Sequence, residues 1–399
     1  MAFKAVLTLS VLALAASAAV VPKSNNGPAA AAYFINNEPS GNEVVVLAVD
    51  ASGQASFSSA VSAGGKGLHA NSTGPDSTFS QNAILVAGRH LFAVNPGSNT
   101  VAMFAINPND PSNITMVGKP APSMGEFPMA IAAHPKLPLT CTLNGGAQNG
   151  VGCHIVDPVH GLLPIMSSMR NLNVTQTTPP TGPPGSFADI LFSNDGRHLF
   201  VSLKGNPGVV NGTMFAMEVN SHGVLSQTVT TNMGGPVPFS MTNIPGGQAV
   251  FLTEATGGVE TFDFTGMSSF SGVNAAVTKI NNTVATCWSA FSQTTGNFFI
   301  DDAATGIVSE ISLDKSLKPT LVAQYPLGGT TATLDNAIAT IDGKEFLMVL
   351  QANATAVSVL RLDAPGQAKV TQQLDLSGSP VTLSVNMIGM AAFSKHNWW

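Results

Sequence analysis

Charged side chains are scarce in this chain of 399 residues: Asp, Glu, Lys and Arg make up 10% of it, against roughly 25% in an average globular domain. The formal net charge is −6, from 16 basic and 22 acidic side chains, and no basic cluster stands out. Because nucleic acids and anionic membranes attract proteins through dense positive charge, neither is an expected partner.

Long apolar runs are also rare, and the main one lies at the N-terminus. Lys4 precedes the run from Ala5 to Ala16, and Ala16-Ser17-Ala18 supplies the small residues that a signal peptidase reads. A membrane span needs about 20 apolar residues, a length that no later stretch reaches. We therefore expect a signal peptide at 1–18, a flexible lead-in at 19–32, and a secreted protein without a membrane partner.

Cysteine is limited to three residues. Cys141 and Cys153 flank the turn-rich Asn144-Gly145-Gly146, so they could face each other across a hairpin, and an oxidising compartment favours their disulfide. Cys287 is left over. With no His and acid partner nearby, a buried free thiol is the expected state rather than a nucleophile.

Six Asn-X-Ser/Thr sequons would make the surface polar through attached glycans, where charged side chains are few. Each lies beside turn-like residues, where a bulky glycan can project from the surface. Together with the signal peptide they predict an N-glycosylated protein. The acceptors are Asn71, Asn113, Asn173, Asn211, Asn281 and Asn353.

A convincing amphipathic helix is missing, and short β runs separated by Gly, Pro, Asn and Asp take its place. The segment 192–201 predicts a strand, a tight turn and a second strand. Similar segments occur at 87–94, 245–252, 295–300 and 341–349, with a weaker one at 134–140. A third strand follows each, and the period of roughly 45–50 residues is that of a four-stranded propeller blade.

These repeats predict an all-β, seven-bladed β-propeller with four-stranded blades at 33–393, followed by a tail at 394–399. Six units fit between Phe79 and Leu376. The N-terminal runs 33–35 and 44–49 would form a seventh blade with the C-terminal run 381–393, which closes the ring. A closed ring buries sheet faces that a single blade leaves exposed. A pair of β-sandwiches is the alternative fold.

Familiar catalytic signatures are absent: the sequence has no Gly-X-Ser-X-Gly elbow, no His-Glu-X-X-His helix and no phosphate-binding loop. His134, His154, His160 and Asp157 are close in sequence, but in a β-rich blade they fit turns and surfaces better than a metal site. We expect neither a metal nor a cofactor.

Topology gives a better indication of a site, because inner strands begin and second strands end on the same face of a propeller. Residues at these places surround the channel mouth, where ligands of such folds bind. The expected catalytic residues are Asp189, Glu254 and Asp335 with Lys204 as the cation, and the expected substrate-binding residues are Trp288, Asn336, Gln81 and Asp302. The alternative is that Asx and Gln residues here only cap tight turns.

Several segments resemble the seven-bladed lactonase family that contains 6-phosphogluconolactonase and the fungal secreted 3-carboxymuconate cyclases. They are 192–202 (Phe-Ser-Asn-Asp-Gly-Arg-His-Leu-Phe-Val-Ser), 93–101 and strand ends such as Leu362-Asp363. The resemblance covers nearly all of the mature chain and rests on the blade pattern. It implies a cycloisomerase (an intramolecular lyase) or lactonase acting on a small carboxylate-bearing substrate at the channel mouth.

The family's inner strands often begin Gly-Pro-Arg-His, and here the matching segments are 186–189 (Ser-Phe-Ala-Asp), 127–130 and 237–240. Pro remains in two of them, but the Arg-His pair does not. The alternative function is therefore an inactive extracellular or cell-wall glycoprotein on the same scaffold. We expect a monomer whose partner is a small-molecule substrate or an extracellular ligand.

Overall fold

The computed structural model of the chain describes residues 27–264 and 277–395. The predicted signal peptide lies outside the described residues, as do most of the predicted lead-in and tail. The predicted start of the propeller at 33 is three residues late, because the first strand begins at Ala30 and Ala30–Ala32 are fully buried. None of the helical structure in the described part is long and apolar enough to cross a membrane.

The described strands fall into seven sequential groups, which we number as blades 1 to 7. Blade 1 begins with β1 (Ala30–Ile35), β2 (Glu43–Val49) and β3 (Ala55–Ser62). Blade 2 contains β4 (Ile84–Ala87), β5 (His90–Asn95), β6 (Thr100–Ile106), β7 (Ile114–Met116) and β8 (Ala121–Pro122). Blade 3 contains β9 (Pro128–Ala133), β10 (Leu139–Asn144), β11 (Gly150–Asp157) and β12 (Gly161–Arg170).

The second half of the chain repeats the pattern. Blade 4 contains β13 (Phe187–Phe192), β14 (His198–Leu203), β15 (Thr213–Val219) and β16 (Leu225–Met233). Blade 5 contains β17 (Pro238–Ile244), β18 (Ala249–Glu254), β19 (Gly258–Asp263) and β20 (Thr278–Lys279). Blade 6 contains β21 (Thr286–Phe291), β22 (Phe298–Asp302), β23 (Ile307–Leu313) and β24 (Pro319–Pro326). Blade 7 contains β25 (Thr333–Ile341), β26 (Lys344–Gln351), a 3₁₀ turn (Ala352–Ala354), β27 (Ala356–Leu362) and β28 (Ala368–Asp375), and β29 (Ile388–Ser394) ends the described fold.

Each group forms an antiparallel sheet, and the ring closes where the two ends of the chain meet. β29 pairs with β1, with Tyr33 opposite Ala391, so blade 1 has the order β29-β1-β2-β3. The C-terminal strand is the innermost strand of a blade otherwise built from the N-terminus. The prediction of a seven-bladed propeller closed by both termini is confirmed, with one addition: β8 pairs with β6 as a fifth strand of blade 2.

Burial explains the architecture. Second and third strands such as β1 and β6 are almost wholly buried, because both of their faces pack against neighbouring blades. Fourth strands such as β24 consist mainly of exposed and partly exposed residues, as expected at the rim. Phe251 of blade 5 and Phe298 of blade 6 stack with ring centroids 4.2 Å apart, which is one of the contacts that join adjacent blades.

The predicted disulfide is present. Cys141 and Cys153 lie directly opposite each other on β10 and β11, with Cα atoms 4.0 Å apart, and form a bond across blade 3. Cys287 is a buried free thiol, as expected. A structural disulfide is typical of proteins that fold in an oxidising compartment.

Six of the seven inner strands contain a β-bulge close to their start. In β25, for example, Thr333 pairs with Gln351 and Asn336 with Val349, so the inner strand has one residue more than its partner in that interval. The same shift occurs in β9, β13, β17, β21 and β29. Bulges re-aim side chains next to binding sites, and these bulges form a ring around the channel axis.

Candidate functional site at the central channel

The propeller has two distinguishable faces. We call the face where inner strands begin and second strands end the upper face, and the face where inner strands end the lower face. The predicted site residues lie near the upper face, at the level of the bulges. The turns after β4 and β13, which contain Arg89 and Arg197, lie on the lower face, as their position in the repeat predicts.

The upper part of the channel is occupied by the chain itself. The plug segment, Asp76–Asn82, lies between β3 and β4 and contacts several blades. The backbone N–H of Gln81 donates to the carbonyl oxygen of Ala188 in blade 4, at 3.0 Å. The hydroxyl of Ser80 donates to the carbonyl oxygen of Met129 in blade 3, at 2.7 Å. These bonds tie the segment to the bulged inner strands.

Two aromatic rings help to fix the plug segment. Phe79 is 1% exposed and belongs to the buried cluster that contains Phe127 and Phe187. The indole Nε1–H of Trp288 donates to the carbonyl oxygen of Ser80, at 3.2 Å. A hydrogen bond also joins the plug segment to the loop before β29: Ser77 Oγ donates to the carbonyl oxygen of Asn386 at 2.6 Å.

The plug segment has a strained backbone. Asp76, Phe79 and Asn82 have φ angles of 68°, 57° and 62°, in the left-handed region, which Asp and Asn tolerate but a bulky residue such as Phe rarely adopts. At Phe79 this conformation costs on the order of 1–3 kcal/mol and persists only where surrounding contacts enforce it. The contacts of the plug segment with blades 3, 4 and 6 supply this enforcement.

Lys204, predicted as the cation of a catalytic site, holds the plug segment. Its Nζ donates to the carbonyl oxygens of Phe79 and Phe187, each at 2.6 Å, and lies 4.6 Å from the ring centroid of Phe239. Burial lowers the pKa of Lys204, and the nearby carboxyl of Asp76 acts in the opposite direction. The ammonium group is therefore committed to this chain's own carbonyls.

Asp189, the predicted acid/base residue, lies beneath the plug segment and is fully buried. Its carboxyl accepts hydrogen bonds from Asn82 Nδ2 at 2.9 Å and from the backbone N–H of Ile190 at 2.8 Å and of Met241 at 2.7 Å. Burial raises the pKa of Asp189 to about 7, although the hydrogen bond from Met241 favours the charged form. Asp189 thus joins blade 4 to both blade 5 and the plug segment.

Gln81, which the structure places in the plug segment rather than on an inner strand, and the inner-strand residues Asp335 and Asn336 also lie close to the axis. Gln81 accepts a 3.1 Å hydrogen bond from the backbone N–H of Ser289 through Oε1. Asp335 accepts one from the backbone N–H of Gly389 at 3.0 Å, and burial raises its pKa well above the usual range. The amide atoms of Asn336 are buried without a hydrogen-bond partner among the described residues.

Two predicted site residues, Glu254 and Asp302, have hydrogen-bond partners outside the plug segment. The carboxyl of Glu254 accepts from the backbone N–H of Val237, at 2.9 Å, and lies beside Glu260 rather than the plug segment. Asp302 accepts from four backbone N–H groups, those of residues 284, 285, 304 and 305, at 2.6 to 3.0 Å. These bonds give Asp302 the loop-capping geometry that sequence reasoning held as the alternative.

Sequence reasoning missed the plug segment except for Gln81, and it missed Glu260. Burial and the charge of Glu254 raise the pKa of Glu260, and the backbone N–H of Gly235 donates to its carboxyl at 3.1 Å. The polar run Asp76-Ser77-Thr78, in the connection between β3 and β4, was the available signal for the plug. Nothing in that run indicates that it turns into the channel.

Below the plug segment the channel opens as a cavity of about 340 Å³. We call it the lower channel cavity. Gln81 and Asn82 contribute to its lining from the plug segment, and the inner strands of blades 2 to 5 supply most of the wall. None of its lining residues is Asp, Glu, Lys, Arg or His. The polar lining residues are Gln81, Asn82, Ser193, Asn194, Thr242 and Asn243.

The sequons are distributed unevenly between the two faces. All six acceptor asparagines are exposed. Asn113 lies between the third and fourth strands of blade 2, a connection on the lower face. The other five lie in connections on the upper face: Asn71, Asn173, Asn211, Asn281 and Asn353.

No family model matches this chain, and no curated protein matches its sequence. Solved structures do resemble it. The periplasmic gluconolactonase of Pseudomonas aeruginosa superposes with a TM-score of 0.65 at 15% identity, covering 92% of this chain and 99% of that chain. A protein of Bacteroides fragilis, provisionally assigned as a 6-phosphogluconolactonase, gives a TM-score of 0.61 at 11% identity over 92% and 98% of the two chains.

A third structure, from Bacteroides uniformis and with the same provisional assignment, gives a TM-score of 0.61 at 12% identity, over 91% of this chain and 99% of that chain. At these identities the likeness shows the fold alone. The class of fold is thereby defined: the chain is a seven-bladed β-propeller that is similar in fold to these structures.

Proposed function

We propose that this chain is a secreted, N-glycosylated and monomeric propeller that uses a lactonase-like scaffold for extracellular binding and does not process lactones at its upper channel mouth. One observation carries the proposal: the plug segment occupies the place where Asp189, Lys204 and Trp288 would meet a substrate. While Lys204 and Trp288 donate to the plug segment and Asp189 accepts from it, these three side chains are not available to a substrate.

The charges at the mouth agree with this proposal. An anionic substrate needs cationic donors that are free to bind it, and Lys204 donates to two backbone carbonyls instead. The Arg-His pair with which the family's inner strands often begin is missing from the matching segments 127–130, 186–189 and 237–240.

Secretion and glycosylation are supported by three observations. The first residues have the pattern of a signal peptide, the disulfide suits an oxidising compartment, and all six sequon asparagines are exposed. Glycans at the five upper-face sequons would surround the closed mouth. The extracellular partner proposed here is a cell-wall polysaccharide, approached from the lower face.

The catalytic part is tested by assaying the mature chain against glucono-δ-lactone, 6-phosphogluconolactone and 3-carboxymuconate. We expect rates equal to those of the buffer, both for the wild type and for Asp189→Asn. Turnover that Asp189→Asn removes while its thermal unfolding stays cooperative would overturn the proposal. Polysaccharide binding is tested by sedimentation with insoluble β-glucan and chitin. If the chain sediments with neither polymer, the proposed binding function is wrong.

The pKa of Asp189 favours a second candidate, a lactonase or cycloisomerase whose mouth opens. A carboxyl with a pKa of about 7 suits general acid/base work near neutrality. Phe79→Gly tests this function, because glycine tolerates the φ of 57° and removes the ring that anchors the plug segment. Turnover in Phe79→Gly that is lost in the double variant with Asp189→Asn would support the second candidate. A rate equal to that of the buffer would reject it.

A further inference from the structure

We propose that the lower channel cavity binds a small, neutral, polyhydroxylated ligand of about the size of a monosaccharide. This inference deepens the proposed function and rests on its lower-face binding, because it names a cavity on that face and the chemical class of its ligand. It rests on three properties of the cavity: the absence of charge in its lining, the fixed orientation of its amides, and its shape and access.

The absence of charge decides the class of ligand. The cavity has no ionisable side chain in its lining. A charged group bound in such a site would lose part of its hydration, and no opposite charge in the lining would compensate for that loss. Ligand sites of this kind combine apolar walls with a few placed polar groups, and here those groups are amides and hydroxyls.

The amides present acceptor oxygens. Asn243 Nδ2 donates to the carbonyl oxygen of Phe192 at 2.8 Å, Asn194 Nδ2 to that of Ile244 at 2.9 Å, and Asn82 Nδ2 to Asp189 at 2.9 Å. A backbone carbonyl can only accept, so the bonds of Asn243 and Asn194 fix which end of each amide is nitrogen, and the ionised form of Asp189 does the same for Asn82.

The three Oδ1 atoms accept no hydrogen bond from any residue in the described ranges. Each can accept one from a ligand. Hydroxyl groups are the neutral donors that match several such acceptors at once, as in a sugar or polyol. A ligand with several hydroxyls would therefore satisfy this part of the wall better than an aromatic or purely apolar molecule.

The remaining wall and the access to the cavity fit the same class. Leu85 and Leu191, which are partly exposed, supply apolar surface for the C–H face of a sugar ring. The volume of about 340 Å³ is at the lower end of the range for small-molecule sites, roughly 300–1,000 Å³. Leu85 and Asn243 are partly exposed, so the cavity is open to solvent on the lower face, and inner strands hold its wall rigidly.

The test uses saturation-transfer NMR on the full mature chain. The neutral probes are D-glucose, D-mannose, D-galactose and N-acetyl-D-glucosamine, and the charged probes are D-glucuronate and D-glucosamine. We expect at least one neutral probe to bind with a Kd of about 1 mM or tighter, and the charged probes to bind at least ten-fold more weakly. No saturation transfer to any neutral probe would overturn the inference, as would equal affinity for a charged and a neutral sugar.

A cavity-filling variant identifies the location. Ala133→Phe adds bulk to the wall of the lower channel cavity, and we expect at least a ten-fold loss of affinity. Val370→Phe, at a position 49% exposed on the outer strand β28, is the matched control and should bind as the wild type does. If Ala133→Phe binds the sugar as tightly as the wild type does, the sugar does not bind in the lower channel cavity. If that variant does not fold, Leu85→Trp fills the same cavity from β4 and is judged by the same criterion.

These outcomes are separable from those for the proposed function. Lactone turnover that depends on Asp189 would overturn the closed mouth and leave sugar binding in the lower channel cavity intact. A failure of every neutral probe would remove the cavity site, while the absence of turnover and the sedimentation result would still decide the proposed function.

Discussion

Lys204 Nζ donates to the carbonyl oxygen of Phe79 at 2.6 Å, and this contact joins the second strand of blade 4 to the plug segment. The same Nζ donates to the carbonyl oxygen of Phe187 on the adjacent inner strand. A lysine at the end of a second strand therefore secures the closure of the channel from within. Its position is where a catalytic cation would be expected, but its partners are backbone carbonyls.

Lys204→Met should destabilise the fold, because two buried carbonyls lose a charged donor. We expect the free energy of unfolding to fall by about 2–4 kcal/mol, measured by chemical denaturation. Lys318→Met, at an exposed position, is the matched control and should change stability by less than about 0.5 kcal/mol. If Lys204→Met matches the control, Lys204 does not secure the plug segment.

Protonation of Asp189 should stabilise the protein between about pH 4 and pH 7. Burial raises the pKa of Asp189 from 3.8 to about 7, so the folded state binds this proton more tightly than the unfolded state. The contribution of Asp189 is fully present below the unfolded pKa and is lost as the pH rises through the folded pKa, at about 1.4 kcal/mol per pH unit. The melting temperature of the wild type relative to that of Asp189→Asn should therefore be higher at pH 5 than at pH 7. A difference between the two proteins that is constant or grows from pH 5 to pH 7 contradicts this expectation.

Glu260→Gln should stabilise the protein at alkaline pH. Burial raises the pKa of Glu260 and of Glu254. The charge of Glu254 raises the pKa of Glu260 further, whereas the hydrogen bond between the two carboxyls favours the charged form of Glu254. The pair is stable while a proton is shared and loses stability as the pH rises, so glutamine at position 260 should raise the melting temperature at pH 8 more than at pH 5. Glu218→Gln, on an exposed position of β15, controls for loss of a negative charge. Equal effects of the two substitutions would exclude a shared proton.

Removal of the disulfide should weaken blade 3. Cys141 and Cys153 are 12 residues apart, and the bond limits the freedom of the unfolded chain. The double variant Cys141→Ala/Cys153→Ala should lose about 2–3 kcal/mol of stability, and a reducing agent should destabilise the wild type but not the double variant. Thiol titration of the oxidised chain should detect no thiol in the native state and only Cys287 after denaturation. A native thiol signal would contradict the burial of Cys287.

Sequence reasoning predicted the features that recur or that depend on local chemistry. The segment 192–201 shows the strand–turn–strand pattern of one blade, and its repetition predicts a propeller because each blade buries its faces only against copies of itself. Cys141 and Cys153 could be paired because a hairpin places them opposite each other. Alignment of the repeats also brought Asp189, Lys204 and Trp288 to one region.

The β-bulges are the reason why the rest of the site could not be predicted from the sequence. The inner strand of blade 7 has one residue more than its partner between Thr333 and Asn336, and such an insertion changes which side chains point to the axis. The repeat pattern does not encode it. Asp302 and Glu254 occupy equivalent ends of second strands, yet one caps loops and the other pairs with Glu260.

For this protein the sequence by itself determined the number of blades, the closure of the ring by both termini and the disulfide, since these follow from periodicity and from neighbours along a hairpin. Only the tertiary structure decided that the channel is closed above and open below. That closure depends on contacts between the plug segment and blades far away in sequence, such as Ser80 with Trp288. A chain poor in charge uses one of its few lysines to complete it.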